Sequence, residues 1–98
     1  MGNKMKTLLT KLVLVRHLNQ EVPAVENEEQ KAANMKRKGG NRTPLVLIDK
    51  GYNENLDRVY EIVTGHNILR VARVAGMDVV NAYVAESREE ALEIIEGV

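Results

Sequence analysis

Apolar residues in this chain occur in short runs, and the spacing within each run distinguishes strands from helices. Continuous or alternating apolar runs of about four to eight residues are typical of strands. Four runs meet this description: Leu8–Val15, Thr43–Ile48, Val59–Val63 and Val79–Ala85. The centre of the first run, residues 12–15, is apolar at every position, which is typical of a strand buried on both faces. The last run alternates, with Val80, Ala82 and Val84 on one face.

Two segments have the apolar spacing of a helix. Over His66–Ala75, apolar residues recur at the i, i+3, i+4 and i+7 positions that form one helical face, and Gly76 follows as a helix end. A second helix is predicted over Arg88–Glu96. Ser87 and Glu90 have capping-box spacing at its start, where each side chain can satisfy a backbone N–H group near the other residue.

A third helix is predicted over Glu28–Lys38, and its end signals are stronger than its apolar pattern. The first turn is acidic and the last turn is basic, an arrangement that the helix dipole favours. Asn27 and Gln30 predict a capping box at the start, and Gly39 predicts the end. Because the apolar side is thin, this helix is expected on the surface.

The predicted elements follow the order β-α-β-β-α-β-α. The polar, turn-rich residues 49–58 join the second and third strands, which predicts a hairpin with a long loop. A hairpin combined with helical crossovers indicates an α+β fold, with a small mixed sheet and about three helices, in a single domain over residues 1–98. The residues expected to share one core are Leu12, Leu14, Leu45, Leu47, Ile62, Val71, Ala72, Val80, Val84, Leu92 and Ile95.

Composition narrows the functional classes. The chain has 98 residues and no cysteine, which excludes a disulfide scaffold, a cysteine-ligated metal and a thiol nucleophile. No apolar run approaches the roughly 18 residues that a membrane span needs, and the N-terminus lacks the apolar region of a signal peptide. The expected location is therefore the cytoplasm, with no membrane partner.

Charge is segregated along the chain, although 14 basic residues balance 14 acidic ones overall, and residues 1–20 carry four basic side chains and no acidic one. Residues 30–48 carry five basic side chains and no acidic one. Such a cluster is typical of a solvated helix surface, and it is also able to follow a nucleic-acid backbone. No aromatic residue lies among these side chains, which disfavours a base-stacking platform. The candidate nucleic-acid-binding residues are Lys36, Arg37, Lys38 and Arg42, with Arg73 expected nearby.

The junction between the third strand and the following helix is the candidate anion site. Helix N-termini present unpaired N–H groups and a partial positive charge, and Gly65 would let a ligand approach the backbone closely. The candidate phosphate-binding residues are Gly65, His66, Asn67 and Arg70. The alternative interpretation is a structural turn, since glycine is the usual turn residue.

The two histidines are the remaining candidates for chemistry. His66 is a weak candidate for a catalytic base at the junction, and a helix-capping or surface role is the alternative. His17, His66 and Glu21 supply the residue types of a metal site, but nothing in their spacing fixes a geometry, so no metal site is predicted.

Four segments together resemble the ParB and sulfiredoxin-like superfamily. Ile62 to Gly65 resembles the strand end that precedes the family's Gly-Glu-Arg-Arg motif, and Ala72 to Gly76 resembles the end of the helix that follows it. Val79 to Val84 fits the next strand, and Gly39 to Leu47 resembles the family's glycine-then-proline approach to its second strand. The resemblance covers about residues 8–85 and implies the ParB/sulfiredoxin-like fold.

The motif itself departs from the family pattern. Gly65-His66-Asn67-Ile68 stands where the family has Gly-Glu-Arg-Arg, so the glutamate and both arginines are replaced. Sulfiredoxin activity needs a cysteine, and the chain has none. The resemblance therefore implies a degenerate, small stand-alone ParB-like domain.

The function expected from this resemblance is non-catalytic binding of a nucleotide phosphate or a nucleic-acid backbone, in a family known for DNA binding and chromosome partitioning. No cofactor is required by the pattern, and a nucleotide is the ligand considered. Two other classes stay open. One is a nuclease, nucleotide hydrolase or phosphotransferase of the same superfamily, and the other is a protein–protein interaction module that binds itself or another chain.

Overall fold

A computed structural model describes residues 9–97 of the chain. It contains a mixed four-stranded sheet and three helices in the predicted order. A short 3₁₀ turn, Val15–His17, follows the first strand. The strands are β1 (Lys11–Leu14), β2 (Leu45–Tyr52), β3 (Arg58–Thr64) and β4 (Val79–Ala85), and the helices are α1 (Glu28–Lys38), α2 (His66–Ala75) and α3 (Arg88–Gly97).

The sheet has the strand order β1-β4-β2-β3, so β1 and β3 form its edges. Strands β2 and β3 pair antiparallel, which confirms the predicted hairpin. Strand β4 pairs parallel with β2 and antiparallel with β1. Because a parallel pair needs a crossover connection, α2 carries the chain from the β3 edge back to β4.

Successive residues of a strand point to opposite sides of the sheet, so both faces carry apolar side chains. Helices cover both faces. One face packs against Leu69 and Ala72 of α2, and the other packs against Ala91 and Ile94 of α3. Helix α1 lies on α2, where Ala32 contacts a small apolar cluster. The α2-facing strand residues in the core are Val13, Leu45, Leu47, Ile62, Val80 and Ala82, and the α3-facing ones are Val46, Ile48 and Ala85.

The single predicted core is wrong in two respects. The apolar residues divide into three clusters on the two sides of the sheet and between α1 and α2. In addition, Leu12 is 69% exposed and Leu92 is 48% exposed. Leu12 points to the face that α3 shares, but β1 is an edge strand and α3 packs on β2 and β4. The first strand is therefore not buried on both faces as its continuous apolar centre suggested.

Strands β1 and β2 differ most from their predictions, whereas β3 extends the predicted Val59–Val63 by one residue at each end. The first was expected over Leu8–Val15, and the structure has Lys11–Leu14, with Leu8 outside the described residues. The second continues past Ile48 to Tyr52, because pairing with β3 extends through a bulge. Gly51 has a φ of +88° in this bulge, and its N–H donates to the Asp49 carboxylate at 2.8 Å. The polar residues 49–52, which predicted a loop, form the irregular end of β2.

The two predicted capping boxes have opposite outcomes. At α3, the Ser87 hydroxyl accepts the Glu90 N–H at 3.1 Å, and the Glu90 carboxylate accepts the Glu86 N–H at 2.8 Å, which confirms the cap. At α1, Asn27 makes no side-chain cap and adopts a left-handed conformation with a φ of +58°. The prediction of a capping box at α1 is therefore wrong.

Candidate phosphate-binding junction

Gly65 connects β3 to α2 in a conformation that only glycine fits. Its φ is +105°, in the left-handed region that disfavours other residues. A Cβ atom built at this position would lie 2.7 Å from the Leu45 Cγ and 3.1 Å from the Leu45 Cα. Because Leu45 is fully buried in the core, it has no room to move aside. The glycine therefore brings the start of α2 against the beginning of β2.

Helix α2 begins without a side-chain cap, because Gly65 has no side chain to accept a backbone N–H. The Leu69 N–H is the first to donate within the helix, to the Gly65 carbonyl at 3.0 Å. The N–H groups of His66, Asn67 and Ile68 precede it, at the positive end of the helix dipole. The side chains of His66 and Asn67 are exposed around this end. This arrangement suits an incoming anion.

A cavity of about 220 Å³ lies one turn into α2. Ile68 is its α2 residue, and two of the basic candidates, Lys38 and Arg42, lie in its wall. Gly65, His66 and Asn67 are not among its lining residues, so the predicted pocket is displaced along the helix from the predicted anion ligands. The full lining comprises Asn34, Met35, Lys38, Gly40, Asn41, Arg42, Thr43 and Ile68.

Asn41 fixes the wall of this cavity and was not predicted. Its side chain is largely buried and donates to the carbonyls of Thr43 at 2.9 Å and Asn81 at 3.0 Å. Its Oδ1 accepts the Asn81 N–H at 2.9 Å. These bonds hold the segment that carries Arg42 against β4. The sequence signal was weak, since an asparagine after two glycines is typical of any loop.

Arg70 pairs with a carboxylate instead of pointing alone toward the junction. Its Nε and Nη2 donate to the two carboxylate oxygens of Glu28 at 2.7 and 2.9 Å, which joins α2 to the start of α1. The hydrogen bond from Arg70, with a second from the Val25 N–H, lowers the pKa of Glu28 from 4.5 to about 2. An anion at the junction would compete with Glu28 for this guanidinium.

The basic candidates for nucleic-acid binding do not all line one cavity. Only Lys38 and Arg42 share a cavity. Lys36 lines a different groove, formed with Val74 and Ala75 of α2. Arg37 donates to the Asn34 side chain at 2.9 Å, and Arg73 donates to the Leu18 carbonyl. Lys36 and Lys38 therefore line different grooves, although they are close in the sequence.

Within residues 9–97, no three side chains among His, Asp and Glu come together in a way that could hold a metal ion. His17 and His66 lie near opposite ends of β3, which separates the two residues that a shared metal site would need. No helix in the described part of the chain has the length and apolar character needed to cross a bilayer.

The comparison with solved structures confirms the fold. The chain superposes on a C-terminally truncated chromosome-partitioning protein ParB from Caulobacter crescentus, complexed with CTP-gamma-S, with a TM-score of 0.62 and 23% identity. The match covers 91% of this chain and 52% of that chain, so this chain spans about half the length of the ParB structure. The protein has a ParB-like fold. No protein-family model and no curated protein matches the sequence.

Proposed function

We propose that this chain is a non-catalytic binding module that holds the phosphate groups of a nucleotide at the N-terminus of α2. The observation that carries the proposal is the start of α2, which has no side-chain cap and carries the exposed residues His66 and Asn67. A helix N-terminus of this kind stabilises an anion through its N–H groups and its dipole. The ParB neighbour was crystallised with a nucleotide analogue, which supports the ligand class.

The neighbouring cavity would receive another part of the ligand. Met35 and Ile68 supply apolar surface, and Lys38 and Arg42 supply positive charge. Its volume of about 220 Å³ is below the roughly 300 Å³ at which small-molecule pockets usually begin. We therefore expect the cavity to hold only part of a nucleotide, with the phosphates outside it near His66 and Asn67.

The residue types at the junction favour binding over catalysis. His66 is the one side chain of residues 65–68 of a type commonly used in general acid–base catalysis. In general acid–base catalysis, a second polar side chain usually orients the residue that transfers the proton. Of the two residues that follow His66, Asn67 is exposed and Ile68 is apolar. A nucleic-acid backbone is the less favoured ligand, because Lys36 lines a different groove from Lys38 and Arg42.

The test uses Asn67→Glu, a substitution whose effects on stability and on binding have opposite signs. A glutamate in the first turn stabilises a helix by about 0.3 to 1 kcal/mol through the dipole, whereas its charge repels a phosphate. The measurement is thermal unfolding with and without nucleoside triphosphates. A ligand at 100 times its dissociation constant adds about 2.7 kcal/mol to the wild-type stability.

The matched control is Asn67→Gln, which keeps the amide and adds no charge. We expect this variant to retain the nucleotide-dependent stabilisation and Asn67→Glu to lose it while melting at the same or a higher temperature without ligand. Equal stabilisation of Asn67→Glu and Asn67→Gln by nucleotide would reject the α2 N-terminus as the phosphate site.

A further inference from the structure

A second polar cleft lies at the opposite end of β3 from Gly65. Strand β3 is seven residues long, which separates the two places by about 20 Å. The cleft has a volume of about 110 Å³ and lies between the segment after β1 and the loop of the β2–β3 hairpin. Its lining side chains are Arg16, His17, Asn19, Asn53, Asp57 and Arg58.

The hairpin wall of this cleft is held by hydrogen bonds within the loop. The Asn53 Oδ1 accepts the N–H groups of Asn55 at 2.8 Å and Asp57 at 3.0 Å. The Asn53 N–H donates to the Asp57 carbonyl at 2.9 Å. Because both of these side-chain bonds use the oxygen of the carboxamide, its NH₂ group is left as a donor.

Arg58 is held at the base of the same hairpin. Its Nη1 donates to the Asp49 carboxylate at 2.8 Å, and its guanidinium carbon lies 4.4 Å from the centre of the Tyr52 ring. A guanidinium has five N–H donors, and this ion pair uses one of them. The other N–H donors belong to the same guanidinium, whose position is restricted by the Asp49 carboxylate and the Tyr52 ring.

The opposite wall is anchored to the core. Leu18 is buried, and its carbonyl accepts a hydrogen bond from Arg73. The Gln20 side chain accepts the Ile62 N–H at 2.6 Å, which ties this segment to the outer edge of β3. Arg16 and His17 precede these anchors. Among residues 9–97, the ion pairs of the fold do not include Arg16.

We infer that this cleft binds one small tetrahedral oxyanion of the phosphate class. The lining residues carry two guanidinium groups, an imidazole and two carboxamides, all of which are hydrogen-bond donors, and guanidinium groups suit oxyanions particularly well. A volume of about 110 Å³ is half that of the cavity beside Ile68, and this size suits a single small anion. Asp57 is the one carboxylate in the lining, and its charge limits the affinity.

The test follows backbone amide shifts during titration with inorganic phosphate, with chloride added to hold ionic strength constant. We expect a saturable shift at residues 16–19 and 53–58, with a dissociation constant on the order of 1 mM. Arg16→Gln should weaken binding about tenfold, as expected for one charge-assisted hydrogen bond. Asp57→Asn should strengthen binding about threefold by removing a repelling charge.

Two further variants separate this site from other effects. Lys31→Gln removes one positive charge from the exposed surface of α1 and should leave phosphate binding in the cleft unchanged. Asn67→Glu should abolish any shift at the α2 N-terminus and leave the cleft shifts intact. The inference is overturned if no saturable shift occurs at residues 16–19 and 53–58, if Lys31→Gln weakens binding as much as Arg16→Gln, or if Asp57→Asn fails to strengthen it.

Discussion

Helices α2 and α3 begin in different ways. At α3, Ser87 and Glu90 satisfy backbone N–H groups with the chain's own side chains. At α2, Gly65 has no side chain that could cap the helix, and its position against Leu45 excludes a residue that has one. Packing against Leu45 therefore explains why α2 starts without a cap, whereas no such contact within residues 9–97 restricts Ser87 at α3. A capped start completes a fold, whereas an uncapped and exposed start leaves donors for a ligand.

The largest expected effect concerns the glycines that flank α2. Gly65 and Gly76 both have positive φ, but a Cβ at Gly76 meets no atom within 4 Å. Gly76→Ala should cost about 1 to 2 kcal/mol from backbone strain. Gly65→Ala adds a clash with the core and should cost at least about 3 kcal/mol in total. Urea unfolding measures both values.

Equal losses in the two glycine variants would mean that Leu45 relaxes without cost. The close approach of α2 to β2 would then not be what requires glycine at position 65.

A smaller effect is expected at the capped helix. Ser87→Ala removes the hydroxyl that accepts the Glu90 N–H and should cost about 1 kcal/mol. It should leave nucleotide binding unchanged, because the cap lies on the opposite face of the sheet from α2. Chemical denaturation gives the first value and a ligand titration gives the second. A loss of binding in this variant would mean that the two helix starts are coupled.

The smallest effect concerns Glu28 at the start of α1. Because Arg70 lowers the pKa of this carboxyl to about 2, ionised Glu28 stabilises the fold above its ordinary pKa of 4.5. This contribution is lost as the pH falls from 4.5 toward about 2. Glu28→Gln should therefore be less stable than the wild type at neutral pH, and the difference should shrink on acidification. A difference that is constant with pH would show that the Arg70 ion pair contributes nothing.

The sequence predicted the bounds of those elements that depend only on short-range patterns. The bounds of α2 and β4 agree with their predictions, because regular apolar spacing marks both and glycines flank α2. The exposure of Leu12 was not predictable, since the edge position of β1 depends on the strand order. The extension of β2 to Tyr52 likewise depends on its pairing with β3.

In the candidate site, too, local features could be predicted from the sequence, and contacts between distant residues could not. Gly65 and the helix start at His66 were visible because both are local features. The pairing of Arg70 with Glu28 and the bonds from Asn41 to Asn81 join residues about 40 positions apart, and no local pattern indicates such partners. The basic residues show the reverse, since adjacency along a helix does not place Lys36 and Lys38 on one surface.

The most direct test of the central claim compares the two helix starts in one titration. Backbone amide shifts are followed while a nucleoside triphosphate is added to the wild type and to Asn67→Glu. The account predicts saturable shifts at residues 65–69 of the wild type, none at residues 87–91, and loss of the shifts at residues 65–69 in Asn67→Glu. Shifts of equal size at both helix starts, or shifts at residues 65–69 that survive in Asn67→Glu, would contradict it.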